Sequence, residues 1–536
     1  MHPSSSGWLR CLVISAVIAF YHSFSVIAAD ADGIQADIVL KGGTIHDGTG
    51  KPGVVCDVAI KSGRIVAVGQ FAVKSAGREV DCRGLVVAPG FIDLHNHSDG
   101  QVVDRLTRAN VNFLTQGCTT IVTGNCGSGP IKVADFYDKI DAAGAGTNVA
   151  HLLPQGSLRR EVIGEAQRPA TAEELDKMKS LARQAMQDGA WGMSTGLIYV
   201  PSSYADTAEL IEIAKVVAET RGLYASHIRS EGVRLLTAVD EALRIGREAG
   251  MPVHISHFKS SGQDAWGLVK RAADAIEAAR KAGERVTADQ YPYIASSTSL
   301  DATVIPTWAR AGGQKALVAR FDDPEQAARL RSAIESDLQK SDDGQRIRIA
   351  RHAPRPDWAG KNLREISDAE KITTFALVER ITRAGGAQIV NFGMSEEDVR
   401  FVMALPWVAT ASDGRAFLPN ADRPHPRSYG TFPRKIGAYS VREPVVSLEH
   451  AIRSSTGLPA DILGLIDRGY LRPETFADVV VFDPREFIDT ATFDDPHQYA
   501  RGVKLVLVNG EPAIERGVPT GSLNGRALRR AVKPAE

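Results

Sequence analysis

Short runs in which apolar and polar residues alternate open the chain: ADIVLKGGTIHDG, CDVAIKSGRIVAVG and REVDCRGLVVAPG. Alternation with a period of two, broken by glycine turns, predicts the strands of a small β-module. The same pattern returns near the other end, from ADVVVFDP to VKLVLVNGEPAIERG. Between them, apolar runs such as TTIVTG, GLYASHIRS, MPVHISHFKS, RVTADQYPY and PWVATASDG alternate with helical amphipathic stretches. Strands alternating with helices imply βαβ units and a parallel sheet. Over roughly 380 residues a (β/α)8 barrel fits better than an open sheet.

The pattern divides the chain into an N-terminal β segment (30–88), a barrel (89–470) and a C-terminal β segment (471–536) that pairs with the first. A charged helical stretch near 307–341 is an insertion, read either as a solvated decoration or as a lid over the barrel mouth. Residues 1–29 stand apart. Arg10 precedes the apolar run CLVISAVIAF, and SVIAAD offers small residues near Ala28 and Ala29. This is the layout of a secretory signal peptide, with a membrane anchor as the alternative. Export, with the periplasm as destination, is the expectation.

Composition narrows the function. The 536 residues carry 63 Lys+Arg against 64 Asp+Glu. Such a balance argues against nucleic acid as the main partner, which needs a basic excess or stripe. Five cysteines are too few for a disulfide framework. An intramolecular Cys56–Cys82 bridge is one reading of that pair; buried thiols, with Cys118, are the simpler one.

The candidate chemistry lies at strand ends. In GFIDLHNHSD, His95 and His97 are two apart and project to the same side of a strand. His227, His257 and Asp413 close later strand-like runs, and Cys126 follows TTIVTGN. All six are residue types that bind zinc, and one barrel mouth would gather them. His254, three before His257, faces the other way in a regular strand and is assigned to packing.

PGFIDLHNHSD, TGNCG, SHIRSEG, ISHFK and ASDG, in this order, resemble the amidohydrolase superfamily, and within it the D-aminoacylases (N-acyl-D-amino-acid deacylases). The likeness runs from Ile38 to Arg516. It takes in GMSTGLIYVP, DQYPYIASST, MSEEDV, HPRSYGTFPR and TGLPADILGLIDRGYLRP. It implies a tight zinc on Cys126, His227 and His257 and a second, weaker metal position at His95, His97 and Asp413. Cys126 then stands where other branches bridge two metals with a carbamylated lysine. It also implies Asp413 as general base and acid for a metal-activated water, and a small-molecule N-acyl amino acid as substrate. Tyr199, Lys259, Ser297, Met394 and Arg427 match the family's substrate-binding positions. Gln155 and Phe258 depart from the pattern, each standing where relatives often carry histidine, which puts substrate range in question. A cyclic-amide hydrolase of the dihydroorotase or hydantoinase type shares the His-x-His motif, but the NCG motif argues against it. A non-catalytic scaffold barrel is the third reading; retention of all six ligand types argues against that.

Overall fold

A computed structural model describes residues 33–531; the expected signal peptide, 1–29, lies outside the described residues. Strands β1 (Ile34–Ile45), β2 (Val54–Lys61), β3 (Arg64–Gly69), β4 (Val73–Asp81) and β5 (Val86–Pro89) come first. The last long strands are β18 (Val479–Phe482), β19 (Val503–Val508) and β20 (Glu511–Glu515). β5 pairs antiparallel with β18, Val87 opposite Val481, and the two ends of the chain form one nine-stranded sheet. The pairing follows from the alternation: Leu40, Val58, Ile60, Val87, Val479, Val481 and Leu507 share one apolar cluster. Cys56 and Cys82 lie in that cluster as free thiols, and burial pushes their pKa values up to about 11 and about 12.

The barrel strands are β6 (Phe91–Asp93), β7 (Cys118–Thr123), β8 (Asn148–His151), β9 (Leu153–Pro154), β10 (Gly192–Gly196), β11 (Leu223–His227), β12 (Val253–Ile255), β13 (Val286–Gln290) and β17 (Val408–Thr410). Each pairs in parallel with its neighbour. β8 and β9 are two lengths of one strand parted at Leu152. A parallel bridge between Asn96 and Gly414 joins the first strand to the last, so eight strands close a ring. Helices cover the outside. In Ala172–Gln187, for example, the Thr171 hydroxyl accepts from the Glu174 N–H while Glu174 accepts from the Thr171 N–H. The helix buries Met178, Ala182, Ala185 and Met186.

The helical stretch expected at 307–341 belongs to a larger unit. β14 (Ser296–Ser299), β15 (Ile347–Arg351) and β16 (Gln388–Asn391) form a separate antiparallel sheet in the order β14-β16-β15. Leu330, Ile334, Trp358, Leu377 and Ile381 give the unit a core of its own. The sequence Ser-Ser-Thr-Ser of β14 has no apolar alternation, so only its backbone pairing with β16 reveals it as a strand.

Asp478 ties the module to the barrel. Its carboxylate accepts from Asn509 N at 2.7 Å and from Asn148 Nδ2 of β8 at 3.1 Å, and it pairs with Arg468. Arg468 is 2% exposed. Asp478→Ala strands a buried guanidinium, so the variant is expected to lose about 3–5 kcal/mol of stability, measured by urea denaturation.

Candidate active site

Strand ends deliver the chemistry to one place. Past β6, the buried Asp93 carboxylate accepts from His95 N at 3.3 Å, Asn96 Nδ2 at 2.8 Å, Ser412 N at 2.8 Å and Ser412 Oγ at 2.5 Å. These bonds fasten the turn after β6 to the turn after β17. Asp413 N donates to His95 O at 2.8 Å, and the Asp413 Oδ1 atom lies 3.0 Å from His97 Nε2. Cys126, His257 and Asp413 all hold left-handed backbone conformations, with φ of 51°, 37° and 49°. Such strain in non-glycine residues clusters where a side chain must be aimed.

The Cys126 sulfur is the centre of the cluster. Its Sγ lies 3.3 Å from His95 Nε2, 3.6 Å from His227 Nδ1 and 3.6 Å from His257 Nε2. His95, Cys126 and His257 present ligand atoms within 4.8 Å of one another, as do His95, His97 and Asp413. His95 therefore belongs to both groups and joins the two metal positions separated in the sequence reading. A third such group, His227, Glu231 and His257, extends the donor set. His95 Nδ1 and His227 Nε2 are buried without a hydrogen-bond partner among the described residues. A buried thiol, converging imidazoles and a carboxylate form a donor set suited to a divalent metal.

The charges around the cluster follow from its geometry. Burial opposes ionisation of Cys126, but His95 and hydrogen bonds from His227, His257 and His95 bring its pKa well below the ordinary 9.0. Burial likewise opposes ionisation of Asp413, and Arg427, His95 and His97 outweigh it, holding the carboxyl well below the usual range. Arg427 Nη1 is 2.7 Å from Asp413 Oδ2. For His97, burial disfavours the cation, while Asp413 and Cys126 favour it more strongly and raise the pKa to about 9.

Four contributing residues escaped the sequence reading. Asp289, at the end of β13, accepts from His257 N at 2.6 Å and sits 3.5 Å from His95 Nδ1. His254, expected only to pack, donates from Nε2 to Asp289 Oδ2 at 2.8 Å, and its Nδ1 lies 2.9 Å from Thr287 Oγ1. Its register with Ala225 and Thr287 puts it on the same face as His227 and Asp289, against the spacing argument, because β12 ends at Ile255 and His257 stands in left-handed backbone. There it orients the carboxylate that orients two proposed ligands. Glu231, in SHIRSEG, binds Lys259 Nζ at 2.5 Å and lies 2.8 Å from His257 Nδ1. Tyr291 carries Arg427 and Lys259 over its ring, at 4.7 Å and 5.7 Å, and its buried hydroxyl has no hydrogen-bond partner among the described residues. An acidic residue closing the run TADQ was the available signal for Asp289.

The cluster opens into a cleft with two lobes of about 720 Å³ and 600 Å³, both lined by Tyr199, Ser297, Thr298 and Asp413. His97, Cys126 and Arg427 line the first; His227, His257, Lys259 and Tyr291 line the second. Tyr199 presents its ring to His227 at 5.0 Å and hydrogen-bonds Thr298 at 3.0 Å. The Ser297 carbonyl accepts from Arg427 at 3.2 Å. Met394 departs from expectation: it packs in the core with Tyr291 and Tyr293 and lines neither lobe. Gln155 and Phe258 are also core residues. Gln155 bonds Glu209 and Ser202, and Phe258 packs 5.9 Å from Trp407.

The profile described as "Amidohydrolase family" matches residues 78–514. The chain belongs to the amidohydrolase family. A D-aminoacylase of Alcaligenes xylosoxydans xylosoxydans is 36% identical over 532 residues, covering 94% of this chain and 99% of that protein. A solved D-aminoacylase structure, described as having a binuclear metal centre, superposes with a TM-score of 0.80 at 35% identity, covering 92% of this chain and 100% of that one. The N-acyl-D-glutamate deacylase of Bordetella bronchiseptica, solved with zinc and a phosphonate inhibitor, gives 0.78 at 33% identity and the same coverage. This amidohydrolase is a hydrolase, and its donor set is placed to hold a metal.

Cys126→Ala is expected to weaken metal binding more than Asp289→Asn does. Losing an outer-shell carboxylate costs roughly 10–100-fold in affinity. Competition with a chromophoric chelator measures both, with circular dichroism as the folding control.

Proposed function

We propose that the protein hydrolyses N-acyl-D-amino acids to a carboxylic acid and a free D-amino acid, using zinc held by Cys126, His227 and His257. His95, His97 and Asp413 offer a second, weaker metal position. The observation that carries the reading is the set of sulfur–nitrogen distances at Cys126, two of them 3.6 Å. Tetrahedral coordination with zinc–sulfur and zinc–nitrogen bonds of about 2.3 and 2.05 Å places the two donor atoms about 3.6 Å apart. Bound zinc supplies an acidified water and a Lewis acid for the amide carbonyl.

The chain's own groups perform the remaining work. Asp413, ionised and aimed into both lobes of the cleft, takes the proton from the attacking water. It then delivers that proton to the amide nitrogen, which leaves only once protonated. Lys259, Tyr291 and Arg427 receive the substrate α-carboxylate: two cations flank one buried, unpartnered phenol. Burial disfavours the Lys259 cation, but Glu231 more than offsets this and raises its pKa. A substrate carboxylate that draws Arg427 away from Asp413 removes a charge that stabilises the Asp413 carboxylate, making it a stronger base when the attacking water gives up its proton. The D-configuration and the linear amide are supported by the relatives named above, and Cys126 in the bridging position favours them over a cyclic-amide substrate.

Purified protein incubated with N-acetyl-D- and N-acetyl-L-amino acids is expected to release the free D-amino acid. Asp413→Ala should lower kcat/KM by about 10²–10⁴-fold, the range for a lost general acid–base. Turnover of hydantoin or dihydrouracil with no acyl-amino acid hydrolysis would sink the proposal.

The start of the sequence supports export to the periplasm, through Arg10, the run CLVISAVIAF and the small residues up to Ala29. Cell fractionation with N-terminal sequencing should find the chain in the periplasm, cut near Ala28 or Ala29. A cytoplasmic, uncut chain would refute this.

A further inference from the structure

The larger lobe of the cleft carries more positive charge than the proposed reaction uses. Its lining holds Arg160, Arg351, Arg415 and Arg427 against Asp413 and Asp422. Two of these arginines are committed. Arg427 pairs with Asp413 at 2.7 Å, and Arg160 pairs with Glu165 at 3.3 Å while donating to Val200 O at 2.9 Å. The other two are not. Arg351, at the end of β15, and Arg415 are exposed, and neither guanidinium has a hydrogen bond or ion pair among the described residues. The Phe417 ring lies under Arg415, 6.0 Å away, and Asp413 and Asp99 act on it through space without a hydrogen bond among the described residues.

Their placement is specific. Arg415 follows Asp413 by two residues, which puts the two Cα atoms within about 7 Å. Arg351 is its cationic neighbour, along with Arg427. Arg351 enters from the inserted unit and Arg415 from the barrel, so two separate parts of the fold bring like charges to one space. Like charges cost energy when brought together, and an anion between them removes the cost.

The chemistry of the cleft says which part of a substrate the anion belongs to. The cradle for the α-carboxylate, Lys259 and Tyr291, lines the smaller lobe, with Arg427 reaching Tyr291 from the boundary. An amide lying across the Cys126–Asp413 cluster with its amino-acid half in the smaller lobe projects its acyl half into the larger one. We propose that Arg351 and Arg415 form an anion subsite for the acyl group, so that the substrates include monoamides of dicarboxylic acids such as N-succinyl-D-amino acids. This rests on the deacylase reading and names the acyl class within it. A carboxylate of that length sets a planar, two-oxygen acceptor before two guanidinium forks, the arrangement arginine binds best.

The test compares kcat/KM of the wild-type protein at low salt for N-acetyl-D-leucine, N-succinyl-D-leucine and N-acetyl-D-glutamate. The succinyl substrate is expected to exceed the acetyl one by about tenfold or more, the scale of a charge-assisted hydrogen bond. That ratio should fall toward one in the R351Q/R415Q double variant and be partly kept in R351K/R415K. The wild-type ratio stands without the variants should either fail to fold. Equal or slower hydrolysis of the succinyl substrate, with N-acetyl-D-leucine turned over, overturns the subsite. A gain for N-acetyl-D-glutamate alone overturns its assignment to the acyl group. No turnover of any of the three overturns the deacylase reading and the subsite with it.

Discussion

The rest of the active site depends on keeping the buried Cys126 sulfur ionised. Burial alone would raise the thiol's pKa, as it does for Cys56 and Cys82 in the terminal sheet. At Cys126 the sign is reversed because three imidazoles converge on the sulfur. Keeping those rings so close, each on a different barrel strand end, requires a carboxylate behind them. Asp289 performs this for His95 and His257 from a single position, and His254 holds Asp289 in turn. The arrangement has the logic of an outer shell that aims the inner one.

Barrel closure serves the same end. Asp93 binds the turn after the first strand to Ser412 after the last, so the seam of the ring coincides with the meeting of His97 and Asp413. Three of the converging residues occupy left-handed backbone. Such strain persists only where the surrounding hydrogen bonds over-determine the geometry, and here they do: Asp413 N, for instance, is taken by His95 O. The inserted unit brings a different element to the cleft. β14 runs between the two lobes, contributing Ser297 and Thr298 to both, so the part of the chain with its own core also shapes what the barrel can bind.

Much of this was legible in the residues. Alternation marked the terminal strands, and the candidate ligands stood at the ends of apolar runs because parallel barrel strands carry chemistry at their C-terminal ends. The inserted sheet was not legible, since Ser-Ser-Thr-Ser has no periodicity and pairs through backbone alone. His254 was misread, because its spacing from His257 assumed one regular strand, whereas β12 ends at Ile255 and the chain turns through left-handed backbone at His257. Met394 matched a motif and yet turned into the core, where Tyr291 and Tyr293 receive it.

The sequence by itself determined six of the candidate donors and the order in which strands would present them, though not Glu231, because strand period and residue chemistry are local properties. It also determined the family, through motifs spread over most of the chain. Only the tertiary structure decided that His95 lies against Cys126 and so joins both donor groups, and that Tyr291 lies under Arg427 and Lys259. It alone left Arg351 and Arg415 facing one lobe without a hydrogen bond or ion pair among the described residues. These are distances between residues far apart in the chain. They depend on how the ring closes and where the insertion docks, and no local pattern encodes either.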